Sequence, residues 1–215
     1  MFIAQDLKIS FSNTPLFAPL NFTIQKGEIC LLQSDSGTGK TSLLRWIAGI
    51  SDKNMHADGK IFLNGKDITS IPAEKRKIGI LFSEALMFPH LTVGQNIGFG
   101  IISSINGKNR TELIKKSLVR AGLPGIEKQD PLTLSTGQQA RVALLRTLLS
   151  EPELLLLDEP FSNLDRDIRK ILISYVQEEI KRLNIPALMV SHDPRDKKIS
   201  KKKPIKFSPF GKRNT

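Results

Sequence analysis

Three short segments of this sequence carry residues whose types and spacing suit phosphate chemistry. The first is 34–42, SDSGTGKTS. Gly37 and Gly39 let consecutive backbone N–H groups turn inward around an anion. A helix starting just after them adds the partial positive charge of its N-terminus. Lys40 is placed to reach terminal phosphates, and the Thr41 hydroxyl to ligate Mg²⁺. A strict phosphate-loop pattern has glycine where this chain has Ser34. A left-handed backbone there costs serine about 1–2 kcal/mol, which is tolerable. The competing reading is an ordinary Gly/Ser loop before a helix.

The second segment is 154–160, LLLLDEP. An apolar strand delivers two acids at its carboxyl end, where parallel α/β sheets bind ligands. Asp158 suits Mg²⁺, directly or through water, and Glu159 suits polarisation of an attacking water. A strand that simply ends in a charged turn is the bland alternative. The third segment, 134–139, reads LSTGQQ. It is a hydroxyl-plus-glycine turn before a helix bearing Arg141 and Arg146, hence a second possible anion site. Ser135 or Thr136 as a plain helix cap explains it equally well.

These residues need a scaffold, and the pattern around them supplies one. Phe2, Ala4, Leu7, Ile9 and Phe11 alternate as in the strands of an antiparallel sheet. Residues 20–24 continue it, and Lys26-Gly27 reads as a turn. Residues 29–33 form a short apolar strand that feeds the glycine loop and its helix, the order a phosphate site requires. Asp58-Gly59 reads as a turn before a strand at 60–63, and Asn64-Gly65 as another turn. Residues 78–82 read as a buried strand. From about 92 to 134 the pattern is helical, with breaks at Asn106-Gly107 and at 123–125. Helices at 138–149 and 167–183 flank the apolar strand at 154–157, and 187–190 is a final core strand. Strands alternating with helices argue for an α/β fold.

Composition sets outer limits. A chain of 215 residues is one domain or two packed subdomains. Its longest apolar runs, such as 154–157, fall far short of the roughly 20 residues of a membrane span. The start, MFIAQDLKIS, lacks a secretory pattern. Cys30, the single cysteine, has no internal disulfide partner. Residues 195–215 hold nine basic residues and one acidic one, so most of the net charge of +11 belongs to this end. The charge is therefore not spread over a nucleic-acid-binding face. A solvated, partly disordered tail is the plainer reading; contact with anionic lipid headgroups or nonspecific contact with RNA are the alternatives.

In this order the motifs resemble the ATP-binding cassette (ABC) family over nearly the whole chain, residues 2–193. LSTGQ stands where that family has its LSGGQ signature. SNLD at 162–165 resembles the D-loop, and VSHD at 190–193 the H-loop, with His192 as the switch histidine. Phe11 lies sixteen residues before Gly27, at the place of the aromatic that stacks on adenine. LMFPHLTV at 86–93 resembles the segment that contacts a transporter's coupling helix. Taken singly, Phe11 and His192 read as core residues, His90 as a surface residue and Trp46 as packing.

The resemblance implies an α/β P-loop NTPase cassette spanning 1–195. It would have a RecA-like core, an antiparallel β subdomain and an inserted helical subdomain at about 92–134, followed by a basic tail at 196–215. It implies ATP and Mg²⁺. Phe11, Ser36, Gly37, Thr38, Gly39, Lys40, Thr41 and Ser42 would bind nucleotide in one copy; Ser135, Gly137 and Gln138 would do so from a second copy in a head-to-tail homodimer. Thr41 and Asp158 would hold the metal, and Lys40, Glu159 and His192 would carry catalysis. It further implies permease partners, with a substrate-binding protein, at the cytoplasmic face of the cell membrane, and import of a small solute. Specific nucleic-acid binding is not expected: 40–134 has no room for the coiled coil of repair relatives, and translation relatives carry two cassettes per chain. No appended regulatory domain is expected either. Three positions depart from the family: Ser34, Thr136 in place of the first signature glycine, and Ser83 in place of the Q-loop glutamine. They lead to an expectation of slow yet real hydrolysis. An ATP-binding regulatory or nucleic-acid-associated cassette that does not turn ATP over is the alternative.

Overall fold

The computed structural model describes residues 1–12, 14–33, 37–50, 52, 54–102, 104–105, 107–162, 164–200 and 202–206. Two compact units divide the chain. The first comprises Met1–Ile80, Glu153–Glu159 and Ile180–Thr215; the second comprises Leu81–Pro152 and Pro160–Glu179.

In the first unit, β1 (Phe2–Phe11) is the centre of an antiparallel sheet. It pairs with β2 (Thr14–Pro15), β3 (Leu20–Ile24) and β5 (Met55–Leu63), and β5 pairs with β6 (Lys66–Asp67). The apolar alternation of β1 changes phase: Phe2 and Ala4 are buried, then Leu7 and Ile9. A register shift between Gln5 and Lys8 explains the change, with Asp6 in the left-handed region at φ 48. Gly59 faces this bulge. A Cβ there would lie 2.6 Å from the Gln5 carbonyl oxygen, and its φ is +104. Asp58-Gly59 is therefore not a turn: β5 runs through it, and the glycine admits the neighbouring bulge.

The second sheet of this unit has the order β10 (Ile205–Lys206), β4 (Ile29–Gln33), β9 (Ala187–Ser191), β8 (Leu154–Asp158) and β7 (Ile78–Leu81). The pairs β10–β4, β4–β9 and β8–β9 are parallel. Every residue of β8 and β9 is buried, which is why they read as uninterrupted apolar runs. Helix α1 (Lys40–Ala48) buries Leu43, Leu44 and Ile47 in a core shared with Phe2, Phe22, Leu32, Leu156 and Val190.

The expectation of a solvated tail from 196 onward is corrected as far as residue 206. Pro194–Lys198 forms a short 3-10 helix, and β10 adds a strand to the sheet. Asp196 and Ile199 are buried, and Ile205 packs against the core. Two well-placed isoleucines and one buried acid anchor this stretch, and Lys202 pairs with Glu28 at 2.8 Å.

The second unit holds α2 (Val93–Gly100), α3 (Gly107–Arg120), α4 (Thr136–Leu148) and α5 (Arg166–Leu183) up to Glu179. Helix α2 approaches α4 closely enough that a Cβ on Gly100 would overlap the Arg146 carbonyl. Arg120, ending α3, reaches α5: its guanidinium lies 2.8 Å from Glu179 and 3.1 Å from Glu178, and over the Tyr175 ring. These contacts join the end of α3 to α5 within the unit. No helix among the described residues is long and apolar enough to cross a membrane.

Candidate functional site

Strand β4 leads into the glycine-rich loop, and α1 leaves it. Gly39 precedes α1 at φ 88, in the left-handed region, and no side chain caps the helix. Helices α2 and α4 both begin in full capping boxes. The start of α1, without such a side-chain cap, brings its partial positive charge to the glycine loop. A second constraint fixes Gly39: a Cβ there would lie 2.5 Å from Leu16 Cδ1. Gly37 is also left-handed, at φ 77, with open space around it. The cavity over this loop, about 350 Å³, is lined by Phe11, Leu16, Gly37, Gly39, Lys40, Thr41, Ser42 and Glu159. Thr38 is buried beside it in sequence. Ser34 and Ser36 lie outside the described residues, as does Asn163.

The acids arrive from β8. The Thr41 hydroxyl donates to Asp158 Oδ2 at 2.7 Å. Burial pushes the Asp158 carboxyl above the ordinary aspartate range, and the Glu159 charge adds to this; the Thr41 hydrogen bond and the Lys40 charge pull the other way. Glu159 has a left-handed backbone at φ 48, and its N–H donates to the Val190 carbonyl at 3.0 Å. A glutamate in that region is strained by roughly 1–3 kcal/mol and is held there by its surroundings. The bond to β9 fixes the turn, so the side chain leaves the sheet toward the cavity.

Glu159 then links two cations or potential cations. Its Oε1 lies 3.7 Å from Lys40 Nζ, and its Oε2 lies 2.9 Å from His192 Nδ1. The Lys40 side chain is 6% exposed, whereas that of His192 is 50% exposed. A buried ammonium is costly unless compensated, and Glu159 supplies compensation when no phosphate does. Phe11, Gly37, Gly39, Lys40, Thr41, Ser42, Asp158, Glu159 and His192 thus come together in one unit. Leu16 joins them. Sequence reading missed it because a leucine after a short turn reads as core.

Ser135, Gly137 and Gln138 belong to the second unit. There Ser135 Oγ accepts the Gln138 N–H at 3.3 Å, and Gln138 Oε1 accepts the Ser135 N–H at 2.9 Å. The capping role open from sequence is therefore real. The Ser135 hydroxyl keeps its own proton to donate. Gly137 accepts from Arg141 Nε at 3.2 Å.

In the same unit the 86–93 segment is braced by Asn96 and Arg146. Asn96 is fully buried and exchanges hydrogen bonds with both backbone groups of Phe88. Arg146 donates to Leu86 O at 2.5 Å and stacks over the Phe88 ring at 4.9 Å. Ser83 and His90 are exposed.

Comparison with known proteins gives a consistent result. The family model described as ABC transporter matches residues 17–162. The "uncharacterized ABC transporter ATP-binding protein YnjD" of Escherichia coli (strain K12) is 40% identical over 196 residues, 91% of this chain and 90% of that protein. The "Fe(3+) ions import ATP-binding protein FbpC 1" of Haemophilus influenzae is 35% identical over 192 residues, 89% of this chain and 58% of its own length. The corresponding protein of Rhizobium meliloti is 39% identical over 175 residues, 49% of its length. This chain thus spans about half the length of those iron-import relatives. Among solved structures, the ATP-binding cassette MJ0796, in a dimeric post-hydrolysis state bound to ADP and Pi, superposes with a TM-score of 0.82 over 97% of both chains at 21% identity. That likeness concerns the fold.

Proposed function

The chain belongs to the ABC transporter family, and from that premise we propose that it binds and hydrolyses ATP to drive import of a small solute through membrane permease partners. The observation that carries this reading is the meeting of Lys40, Thr41 and Glu159 at one cavity, with Asp158 bonded to Thr41 and His192 to Glu159. Phosphoryl transfer asks mainly for positioning and charge stabilisation, and these residues supply both.

Phe11 and Leu16 form the apolar wall of the cavity and suit a nucleobase and ribose. The backbone around Gly37 and Gly39, with the positive end of α1, suits the phosphate oxygens. Lys40 exchanges its contact with Glu159 for a terminal phosphate. Glu159, released from that cation, polarises water through its Oε atoms, and His192 holds the carboxylate from the other side. Thr41 and Asp158 are hard oxygen donors in contact, and no group of three acidic, histidine or cysteine side chains among the described residues competes as a metal site. A Mg²⁺ held mainly by phosphates and water, with one or two protein oxygens, fits such a pair; when bound it would neutralise phosphate charge. In a head-to-tail homodimer, the Ser135 hydroxyl, Gly137 and Gln138 of one copy would meet the nucleotide of the other.

The import relatives and the braced 86–93 segment support a permease partner, peripheral placement at the cytoplasmic membrane face, and a substrate-binding protein upstream. Turnover of Mg²⁺-ATP by purified protein, compared with Glu159→Gln, tests the reading. Phosphate release that depends on Glu159 supports it. ATP binding with no release above the Glu159→Gln level, even with the permease present, would leave an ATP-binding regulatory module instead.

A further inference from the structure

Strand β9 ends at Ser191, and His192 is the first residue beyond it. The His192 side chain is half exposed, so little packing fixes it; its placement against Glu159 depends on the backbone that carries it. That backbone is tied down on both sides. Ser191 Oγ donates to Asp196 Oδ2 at 2.5 Å and accepts the Asp193 N–H at 3.0 Å. The Asp196 N–H returns to the Asp193 carbonyl at 3.1 Å. Asp193 Oδ1 accepts the Arg195 N–H at 2.8 Å, and the Arg195 guanidinium pairs with the same carboxylate at 2.6 Å. Ser191 and Asp196 are both 2% exposed. A buried carboxylate is expensive unless hydrogen bonds satisfy it, and a short hydroxyl–carboxylate bond is of the strong, charge-assisted kind.

From this geometry we propose that Asp196, acting through Ser191, is a positioning residue that holds the loop presenting His192 to Glu159. The proposal rests on the reading of Glu159 and His192 as hydrolytic groups. It gives a role to an acid inside the basic stretch after β9, where composition alone predicts only a solvated tail. The chain of action is short. Asp196 fixes the Ser191 hydroxyl, the hydroxyl fixes the Asp193 amide, and the turn so formed carries His192. Losing the first link lets the turn relax and moves the imidazole off the Glu159 carboxylate. The nucleotide cavity is lined by other residues and keeps its ATP affinity.

The test uses Asp196→Ala, Ser191→Ala and the conservative Ser191→Thr, with two readouts. One is steady-state ATP hydrolysis, separated into kcat and KM. The other is the imidazole NMR signal of His192, assigned among the three histidines by its disappearance in His192→Ala. The expected result is a kcat lower by on the order of 10-fold in both alanine variants, with KM little changed, because small misplacements of a reacting group are costly. The His192 signal shifts in both, and Ser191→Thr restores rate and signal. If Asp196→Ala does not fold, Ser191→Ala removes the same bond with a smaller change in volume and decides alone. Folded Ser191→Ala protein with wild-type kcat and an unmoved His192 signal overturns the proposal. Wild-type protein without turnover overturns the proposed function instead, while the His192 signal still reports whether Ser191 and Asp196 set its position.

Discussion

Arg76→Met should be among the most destabilising single changes in the first unit. Arg76 is 7% exposed, and its guanidinium donates to four carbonyls. Two of these, Trp46 O at 2.9 Å and Ile47 O at 2.7 Å, belong to the last turn of α1; the others are Ile71 O and Thr69 O. The C-terminal carbonyls of any helix lack intrahelical partners, and a cation there also suits the helix dipole. Trp46 O keeps a second donor in the Gly49 N–H at 2.9 Å, so three carbonyls lose an Arg76 bond that this second donor does not replace. Of these three, the Ile47 bond is buried and the other two are part-buried; an orphaned buried acceptor costs about 1–3 kcal/mol and a part-buried one less. Against this stands the burial of the guanidinium itself, which pushes its pKa below the ordinary arginine value. The balance is a loss of about 3 kcal/mol, or about 10 °C in Tm for a chain of this length. Urea unfolding followed by the fluorescence of Trp46, the single tryptophan, measures it directly. Arg76→Lys should recover little, because an ammonium cannot reach four carbonyls in a plane. A Met variant within about 0.5 kcal/mol of wild type, or full recovery by lysine, would refute the reasoning.

Gly39→Ala should abolish measurable ATP binding by calorimetry, because φ 88 and the 2.5 Å approach to Leu16 Cδ1 both oppose a Cβ; the double change with Leu16→Ala relieves only the second and should restore little. Asn96→Ala should cost about 1–3 kcal/mol by leaving the Phe88 N–H without its acceptor, while the Phe88 carbonyl keeps the Leu91 N–H at 3.2 Å, and hydrogen exchange should rise across 86–92. Cys30, whose thiol burial pushes up to about 11, should react with Ellman's reagent at pH 8 only after urea is added. The sign for stability follows from the same shift. The folded thiol resists ionisation more than the unfolded one, so wild type should lose stability relative to Cys30→Ala as pH rises from the ordinary thiol value of 9.0 toward 11.

The residues legible in the sequence are those whose demand is local. Gly37 and Gly39 declare a left-handed backbone, and Asp158 and Glu159 declare themselves by following four leucines. Each signal lies within a few positions of the chemistry it serves. The β8 and β9 strands are legible for a related reason: burial on both faces leaves no polar residue to blur them. Asp58-Gly59 misled because its glycine serves a partner strand. The reason for it lies at Gln5 and Asp6, more than fifty residues earlier, and nothing near Gly59 distinguishes a turn from a bulge's neighbour.

Arg76, Asn96 and Asp196 share the property that hid them. Each is a polar residue in a stretch where polar residues are common, and each is buried because of a bond that closes a loop onto an element formed elsewhere. Sequence pattern ranks them as surface. What gives them away is the combination of near-complete burial with hydrogen bonds to backbone or hydroxyl groups, an arrangement that persists only where the geometry it enforces is worth the desolvation. The same physics separates the two kinds of site residue. Lys40, Thr41 and Glu159 meet the ligand and are dictated by its chemistry, so their types recur in a recognisable order. Arg76 and Asp196 meet only the frame, so any group that satisfies the frame could stand in their place, and only the folded structure shows which one does.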